Sequence, residues 1–397
     1  MNRLFTIIGQ QRILQMLHQI TEEDRYANAY LFHGPRGTGK EALAMEFAAL
    51  MNCQSVGDRP CGSCQGCIQM RQLQHPNVQL LYALPGGGSS DKSDPLKGFS
   101  QDQIETIQNA VAAKCRNPYR KISIPRAQNI KISSVRAMQK DIHLGLAVKG
   151  RKCILIFEAA RMNRAAFNSI LKTVEEPPTR TTFIFCTSAL QHIPETIQSR
   201  CQMVPFRLLT TEEIEAGLSD YTELEDPDHR SRIARMADGD FGFALSLAEK
   251  DLDEHEELMI EFLRAAMQGQ ALPVKSQVDF LESLHRESEE EFRRFLQLIQ
   301  LWFRDARLWQ ELENQDQLVY PQHLDKIRKF VDRYRSVDYT TIQVLLENAI
   351  DFIQRNVYIR LALHSLLVQL HQAIHGDLQG KQYGERHRYI QDSFRGI

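Results

Sequence analysis

The chain has no apolar run near the roughly 18 residues that a membrane-spanning helix needs. Its first residues, Met1-Asn-Arg-Leu-Phe-Thr-Ile-Ile, are too short an apolar stretch for a secretory signal. It also lacks an excess of either charge, with 48 basic residues against 50 acidic ones. That balance does not point to a protein that coats nucleic acid by itself and leaves room for a local basic face. No tandem repeat or low-complexity block interrupts it. A chain of 397 residues, 25% charged and 43% hydrophobic, then reads as ordinary globular protein of two or three domains with the cytoplasm as its compartment and no membrane partner.

What is present begins with an alternation of strand-length and helix-length patterns over residues 1–208. Apolar runs at 29–33, 78–84, 153–157, 182–187 and 202–206 read as strands, and 41–52, 133–146 and 165–174 carry helical spacing. Such alternation predicts an α/β fold with a parallel sheet covered on both faces. Residues 85–128 break the rhythm. They open with the loop composition Pro85-Gly-Gly-Gly-Ser-Ser-Asp-Lys-Ser-Asp-Pro95, continue with a helical pattern at 102–114, and offer a short strand between Asn117-Pro118 and Pro125. This reads as an insertion, a flexible arm carrying one helix. Thr210 with Glu213 forms a capping-box pattern that starts a helical region. Beyond residue 252 everything reads as helix, with stripes such as Phe292, Phe295, Leu296, Ile299 and Leu345, Ala349, Phe352, Ile353 serving as core; the tail after Gly376 is polar.

Gly34-Pro-Arg-Gly-Thr-Gly39-Lys40 fits the phosphate-binding pattern G-x-x-x-x-G-K-[ST] until its last position, where Glu41 replaces the hydroxyl. Gly34, Gly37, Thr38, Gly39 and Lys40 are the candidate nucleotide-binding residues. Glycines there let backbone N–H groups wrap phosphates, the following helix N-terminus favours anions, and Lys40 supplies a point charge. The apolar run Ile154-Leu-Ile-Phe157-Glu158 has the form of the second nucleotide motif, with Phe157 in place of its metal-ligating aspartate. In such sites the loop hydroxyl and that aspartate hold the magnesium that bridges β- and γ-oxygens. Their loss predicts no catalytic magnesium, leaves ATP or ADP binding without hydrolysis open, and leaves Glu158 without a metal to work beside. Glu41 as a substitute metal ligand is the competing reading.

Of eight cysteines, Cys53, Cys61, Cys64 and Cys67 fall within fifteen residues, with Pro60 and Gly62 turning the chain between them. In a reducing compartment this spacing favours a closed structural zinc site over disulfides; the alternative is four reduced thiols.

The segment Phe167-Asn-Ser-Ile-Leu-Lys-Thr-Val-Glu-Glu-Pro-Pro178 followed by Ser199-Arg-Cys201 closely resembles the bacterial clamp-loader AAA+ subunits of DNA polymerase III. So do Ile8-Gly-Gln, the glycine loop and the cysteine spacing, over roughly residues 5–250, and 355–363 resembles the family's last collar helix. The resemblance implies a RecA-like AAA+ domain over 1–208 with a zinc module (53–67) and the insertion (85–128), a helical lid over 209–252, a collar over 253–376 and a tail over 377–397. It assigns Arg200 a role in trans, reaching the γ-phosphate in an adjacent ATPase subunit. Two subunit types share these motifs: the tau/gamma ATPase and the delta-prime subunit. In the family the lid carries a sensor arginine where this chain has Gly242. With Glu41 and Phe157, that makes three losses at one site, which together point to the delta-prime type. It would be a non-hydrolysing part of a DNA polymerase holoenzyme, sitting in a hetero-pentameric ring with tau/gamma and delta and meeting the sliding clamp and primed DNA through that ring. The alternative is an active ATPase of the tau/gamma type.

Overall fold

The computed structural model describes residues 3–86, 95–249, 252–315, 318–352 and 358–376. Parts of the sequence reading lie outside these: the glycine-serine stretch 87–94, Ile353, residues 355–357 of the last-helix segment, and the tail. The chain divides into two compact units, Met1–Ala248 and Glu249–Ile397.

The first unit is built on a five-stranded sheet in the order β2-β3-β4-β1-β5. Its strands are β1 (Ala29–His33), β2 (Val78–Leu81), β3 (Lys152–Ile156), β4 (Thr181–Thr187) and β5 (Gln202–Pro205). Every pairing is parallel. The helices are α1 (Gln11–Glu22), α2 (Lys40–Asn52), α3 (Gln65–Arg71), α4 (Gln101–Arg116), α5 (Ile132–Ile142), α6 (Arg164–Glu175), α7 (Glu195–Gln198), α8 (Thr211–Tyr221), α9 (Pro227–Ala237) and α10 (Phe241–Ala248). Strands β3 and β4 are buried along their whole length, as expected of central parallel strands covered on both sides. Leu31, Ile154, Ile156, Phe183 and Phe185 face one layer, where α5 and α6 lay down Val135, Met138, Phe167 and Ile170. Tyr30 and Phe32 face the other, where Phe47 of α2 meets the Tyr30 ring edge-on at 5.2 Å. The capping box at α8 forms in both directions, Thr210 Oγ1 accepting from Glu213 N and Glu213 Oε2 from Thr210 N.

Two local expectations fail. Residues 117–124 form no strand: Pro118 lacks the N–H a ladder needs, and the segment turns back toward the glycine loop instead. The 133–146 helix stops at Ile142, because Gly145 takes a left-handed φ of 76° and Leu144 projects into solvent.

Helix α2 holds a buried carboxylate. Glu46 is fully buried and accepts N–H bonds of 3.1 Å from Leu4 and Phe5, tying the N-terminal segment to the helix. Burial outweighs those bonds and pushes its pKa from 4.5 up to about 7. A raised carboxyl pKa means that the folded chain holds the proton longer than the unfolded chain. This contribution to stability is therefore full below pH 4.5 and lost as pH rises through about 7. Denaturation midpoints across that window should decline more steeply for the wild type than for Glu46→Gln, by on the order of 3 kcal/mol at most. Parallel pH profiles for the two proteins would remove Glu46 as the cause.

The second unit is helical among the described residues: α11 (Leu252–Gln268), α12 (Ala271–Glu287), α13 (Glu289–Leu312), α14 (Leu324–Arg333), α15 (Tyr339–Phe352) and α16 (Ile359–His375). Of the predicted stripes, Phe292, Phe295, Leu296, Ile299 and Leu345 are buried. Phe295 meets Phe262 and Phe280 edge-on at 6.0 and 5.3 Å, and Trp302 meets Phe330 at 4.9 Å. Fully buried Asp305 accepts the Val319 and Tyr320 N–H groups at 3.0 and 2.7 Å, which fixes the turn between α13 and α14. No helix among the described residues is long and apolar enough to cross a membrane.

Candidate functional site

Strand β1 delivers the chain into the glycine loop at the C-terminal edge of the sheet. Gly34 approaches so closely that an added Cβ would lie 2.3 Å from the Phe206 carbonyl, and Gly37 adopts φ 62°. Gly39 caps α2 from a left-handed conformation. Thr38 is buried and its hydroxyl donates to Pro35 O at 3.0 Å. The Lys40 ammonium turns back into the loop, donating to Gly34 O at 2.9 Å and to Pro35 O, and burial lowers its pKa to about 8. The candidate nucleotide-loop residues are thus assembled in one turn at the head of a helix, the arrangement that phosphate oxygens need.

The metal positions are another matter. Glu41 does not point into open space. Its carboxylate lies 2.5 Å from the ammonium of Lys114, a residue of α4 that is 1% exposed. The same ammonium stands 5.1 Å from the centre of the Phe157 ring. Glu158 takes a left-handed φ of 48° and is gripped by Lys121 at 3.1 Å and Arg161 at 3.0 Å. Burial alone would raise the Glu158 pKa, but Lys121, Arg161 and Arg36 outweigh it and hold the group near 2. A carboxylate so pinned is a poor proton acceptor. An aromatic ring and a carboxylate already neutralised by an ammonium do not fit a divalent cation.

The loop is also covered by its own chain. Asp240 crowds Gly37, where a Cβ would come 1.7 Å from Asp240 Oδ1, and Phe241 N donates to Gly37 O at 3.2 Å. Gly242, where the resemblance places a sensor arginine in the family, would direct a Cβ to 4.0 Å from Gly37 Cα. That position faces the loop, and glycine brings no charge to it. The Tyr119 ring lies against Gly39, while its hydroxyl accepts from Ile8 N at 2.6 Å. Lys114, Tyr119, Lys121 and Asp240 were not read from the sequence. No motif marks them, and a lysine at the end of an amphipathic helix ordinarily reads as solvated.

Arg200 sits elsewhere. It follows α7 and lies two residues before Gln202, which pairs with Tyr30 near the start of β1. The glycine loop follows His33 at the other end of that strand, so the sheet separates Arg200 from its own loop by a strand length of about 10 Å. The guanidinium donates to Thr196 O at 2.9 Å and pairs with Glu175 at 3.2 Å, the end of α6 and the first glutamate of the Glu-Glu-Pro-Pro segment. Local pairing with a carboxylate, the plain alternative to a role in trans, is what the single chain contains. Thr187 ends β4 fully buried, its hydroxyl accepting from Ala189 N at 3.1 Å.

The four clustered cysteines converge. Cys53 ends α2, Cys64 caps α3 and accepts from Cys67 N, and all four sulfurs lie within 4.8 Å of one another. Backbone N–H groups of Ser63 and Cys64 draw the Cys61 thiol down to about 6. Four soft ligands at this distance form a group able to hold a metal ion, the donor set that fits a closed tetrahedral site. The module is tied to the sheet through buried Asn52, whose Oδ1 accepts from Asn77 Nδ2 at 3.2 Å and Arg151 N at 3.1 Å.

A parallel sheet in this order, with a glycine loop after β1, helices on both faces and a helical C-terminal unit, defines an AAA+-type α/β protein. The model of the family described as DNA polymerase III, delta subunit, matches residues 9–210, and the chain belongs to that family. It is 28% identical over 253 residues to the DNA polymerase III subunit tau of Bacillus subtilis, covering 62% of this chain and 37% of that protein. It is 26% identical over 331 residues to subunit delta' of the same organism, covering 81% of this chain and 83% of that one. It is 27% identical over 299 residues to subunit tau/gamma of Haemophilus influenzae, covering 74% and 37%. The chain therefore spans little more than a third of the tau-type relatives but most of the delta' relative.

Proposed function

We propose that this chain is a non-hydrolysing clamp-loader subunit of the delta-prime type. It would donate Arg200 to the ATP of a neighbouring tau/gamma subunit and help load the sliding clamp on primed DNA. The observation that carries this reading is the fate of the two metal positions: Glu41 is committed to Lys114, and Phe157 offers a ring. Positioning and charge neutralisation supply most phosphoryl-transfer catalysis, so a loop without a metal keeps little of the rate. The placement of Arg200 at the end of the strands opposite its own loop supports a role toward another chain's phosphate. The partners would be tau/gamma and delta in a hetero-pentameric ring, with residues 253–376 as collar and 209–252 as lid. The four cysteines would hold a structural zinc. Any contact with DNA would be to phosphates and without sequence preference.

Steady-state ATP turnover by the purified chain tests this directly. Activity at the level of Lys40→Ala is expected. Turnover abolished by that substitution would establish the second reading, an active tau/gamma-type ATPase, which the intact glycine loop and the tau relatives favour.

A further inference from the structure

We propose that the Lys114 ammonium is the resident cation of the glycine loop. It stands where a loop hydroxyl and a strand-end carboxylate otherwise keep a divalent ion, so that the loop takes a nucleoside di- or triphosphate free of metal. The sequence gives this lysine no motif. It comes from the insertion, whose role the clamp-loader reading leaves unassigned.

The geometry is specific to the two replaced positions. Lys114 Nζ lies 2.5 Å from Glu41 Oε2, at the position of the lost hydroxyl, and 5.1 Å from the Phe157 ring centre, at the position of the lost aspartate. One ammonium thus touches both. Burying such a charge costs several kcal/mol unless it is paired. Here the pairing is a carboxylate on one side and an aromatic face on the other. The two substitutions that remove metal ligands are the same two that make a home for a lysine, which random loss of a metal site does not explain.

Helix α4 cannot easily withdraw the lysine. Three residues of the same segment are fastened around the loop: Lys114 to Glu41, Tyr119 to Ile8 N, and Lys121 to Glu158. A hydrated divalent ion entering here would have to displace an ammonium anchored on both sides and then be held by a phenyl ring. A polyphosphate needs less. The loop N–H groups, the α2 N-terminus and Lys40 remain on its side, and Asp240 opposes it from Gly37. Tight binding is therefore not expected, but independence from metal is.

This inference rests on reading residues 34–40 as a phosphate loop and not on the role of Arg200. It concerns binding without metal, whereas ATP turnover concerns hydrolysis, so either can fail alone. The test is titration of the full-length chain with a fluorescent ADP analogue, in magnesium and in EDTA. Wild type should give dissociation constants that agree within about twofold. Lys114→Met, which keeps the buried stem, should weaken binding in EDTA by about tenfold or more. The double variant Glu41→Ser/Lys114→Met returns a loop hydroxyl and removes the ammonium; it should bind at least about tenfold more tightly in magnesium than in EDTA. A wild type that requires magnesium, or that binds the analogue in neither buffer, overturns the proposal. So does Lys114→Met with unchanged affinity in EDTA, or a double variant indifferent to magnesium. The wild-type comparison decides even where a variant fails to reach wild-type melting behaviour.

Discussion

Replacing Arg200 by alanine should lower ATP turnover at the neighbouring site proposed for it by about 10³-fold or more, while the reconstituted assembly with tau/gamma and delta still forms. The magnitudes make this plausible although the single chain pairs Arg200 with Glu175. That ion pair is partly exposed, with the two side chains 34% and 55% accessible. Surface pairs of this kind are worth about 0–1 kcal/mol. A guanidinium that offsets developing charge on a γ-phosphate is worth about 4–7 kcal/mol. Giving up the carboxylate costs little beside the transition-state stabilisation at stake, and Glu175→Gln should change turnover by no more than about fivefold. Arg200→Lys should behave more like alanine than like wild type, because an ammonium lacks the planar fork that meets two phosphate oxygens together. DNA-stimulated ATPase and clamp loading are the readouts. If both are unchanged in an intact Arg200→Ala assembly, Arg200 is only the local partner of Glu175.

Removing the zinc proposed for the cysteine module should have the largest effect on the chain's own stability. The segment from Cys53 to Arg71 buries few side chains besides its cysteines and Met70: Val56 is 99% exposed and Ile68 is 43% exposed. A short segment without its own core depends on a staple, and structural zinc supplies folding free energy outright. Purified protein should carry zinc, and Cys67→Ser should lose it. The variant should melt several degrees lower, with protease cleavage concentrated between Cys53 and Arg71. The loss should spread into the sheet edge, since Asn52 joins the module to Asn77 and Arg151. Chelation of wild type should reproduce the variant. Protein that contains no zinc, with melting indifferent to chelator and to Cys67→Ser, would leave the four as reduced thiols.

Much of this was legible in the sequence because it is local. Strand and helix periods, the glycine loop, the capping box at Thr210 and the cysteine spacing are each written within a few neighbouring residues, and each forms at that place. So is the absence of a loop hydroxyl at Glu41 and of an aspartate at Phe157. Apart from the helix that Gly145 ends early, the failures are where distant segments compete with local pattern. Residues 117–124 read as a short strand, yet they turn to set Tyr119 against Gly39. Lys114 reads as the polar end of an amphipathic helix, yet it is buried against Glu41, 73 residues away in sequence.

By itself, then, the sequence determined that a glycine loop forms between a strand and a helix and that neither a hydroxyl at 41 nor an aspartate at 157 is present, since backbone conformation and side-chain chemistry belong to single residues. Only the tertiary structure decided what Glu41 and Phe157 pack against and at which end of the strands Arg200 lies. Both depend on long-range packing, in which a buried charge is tolerated only where another element brings its partner.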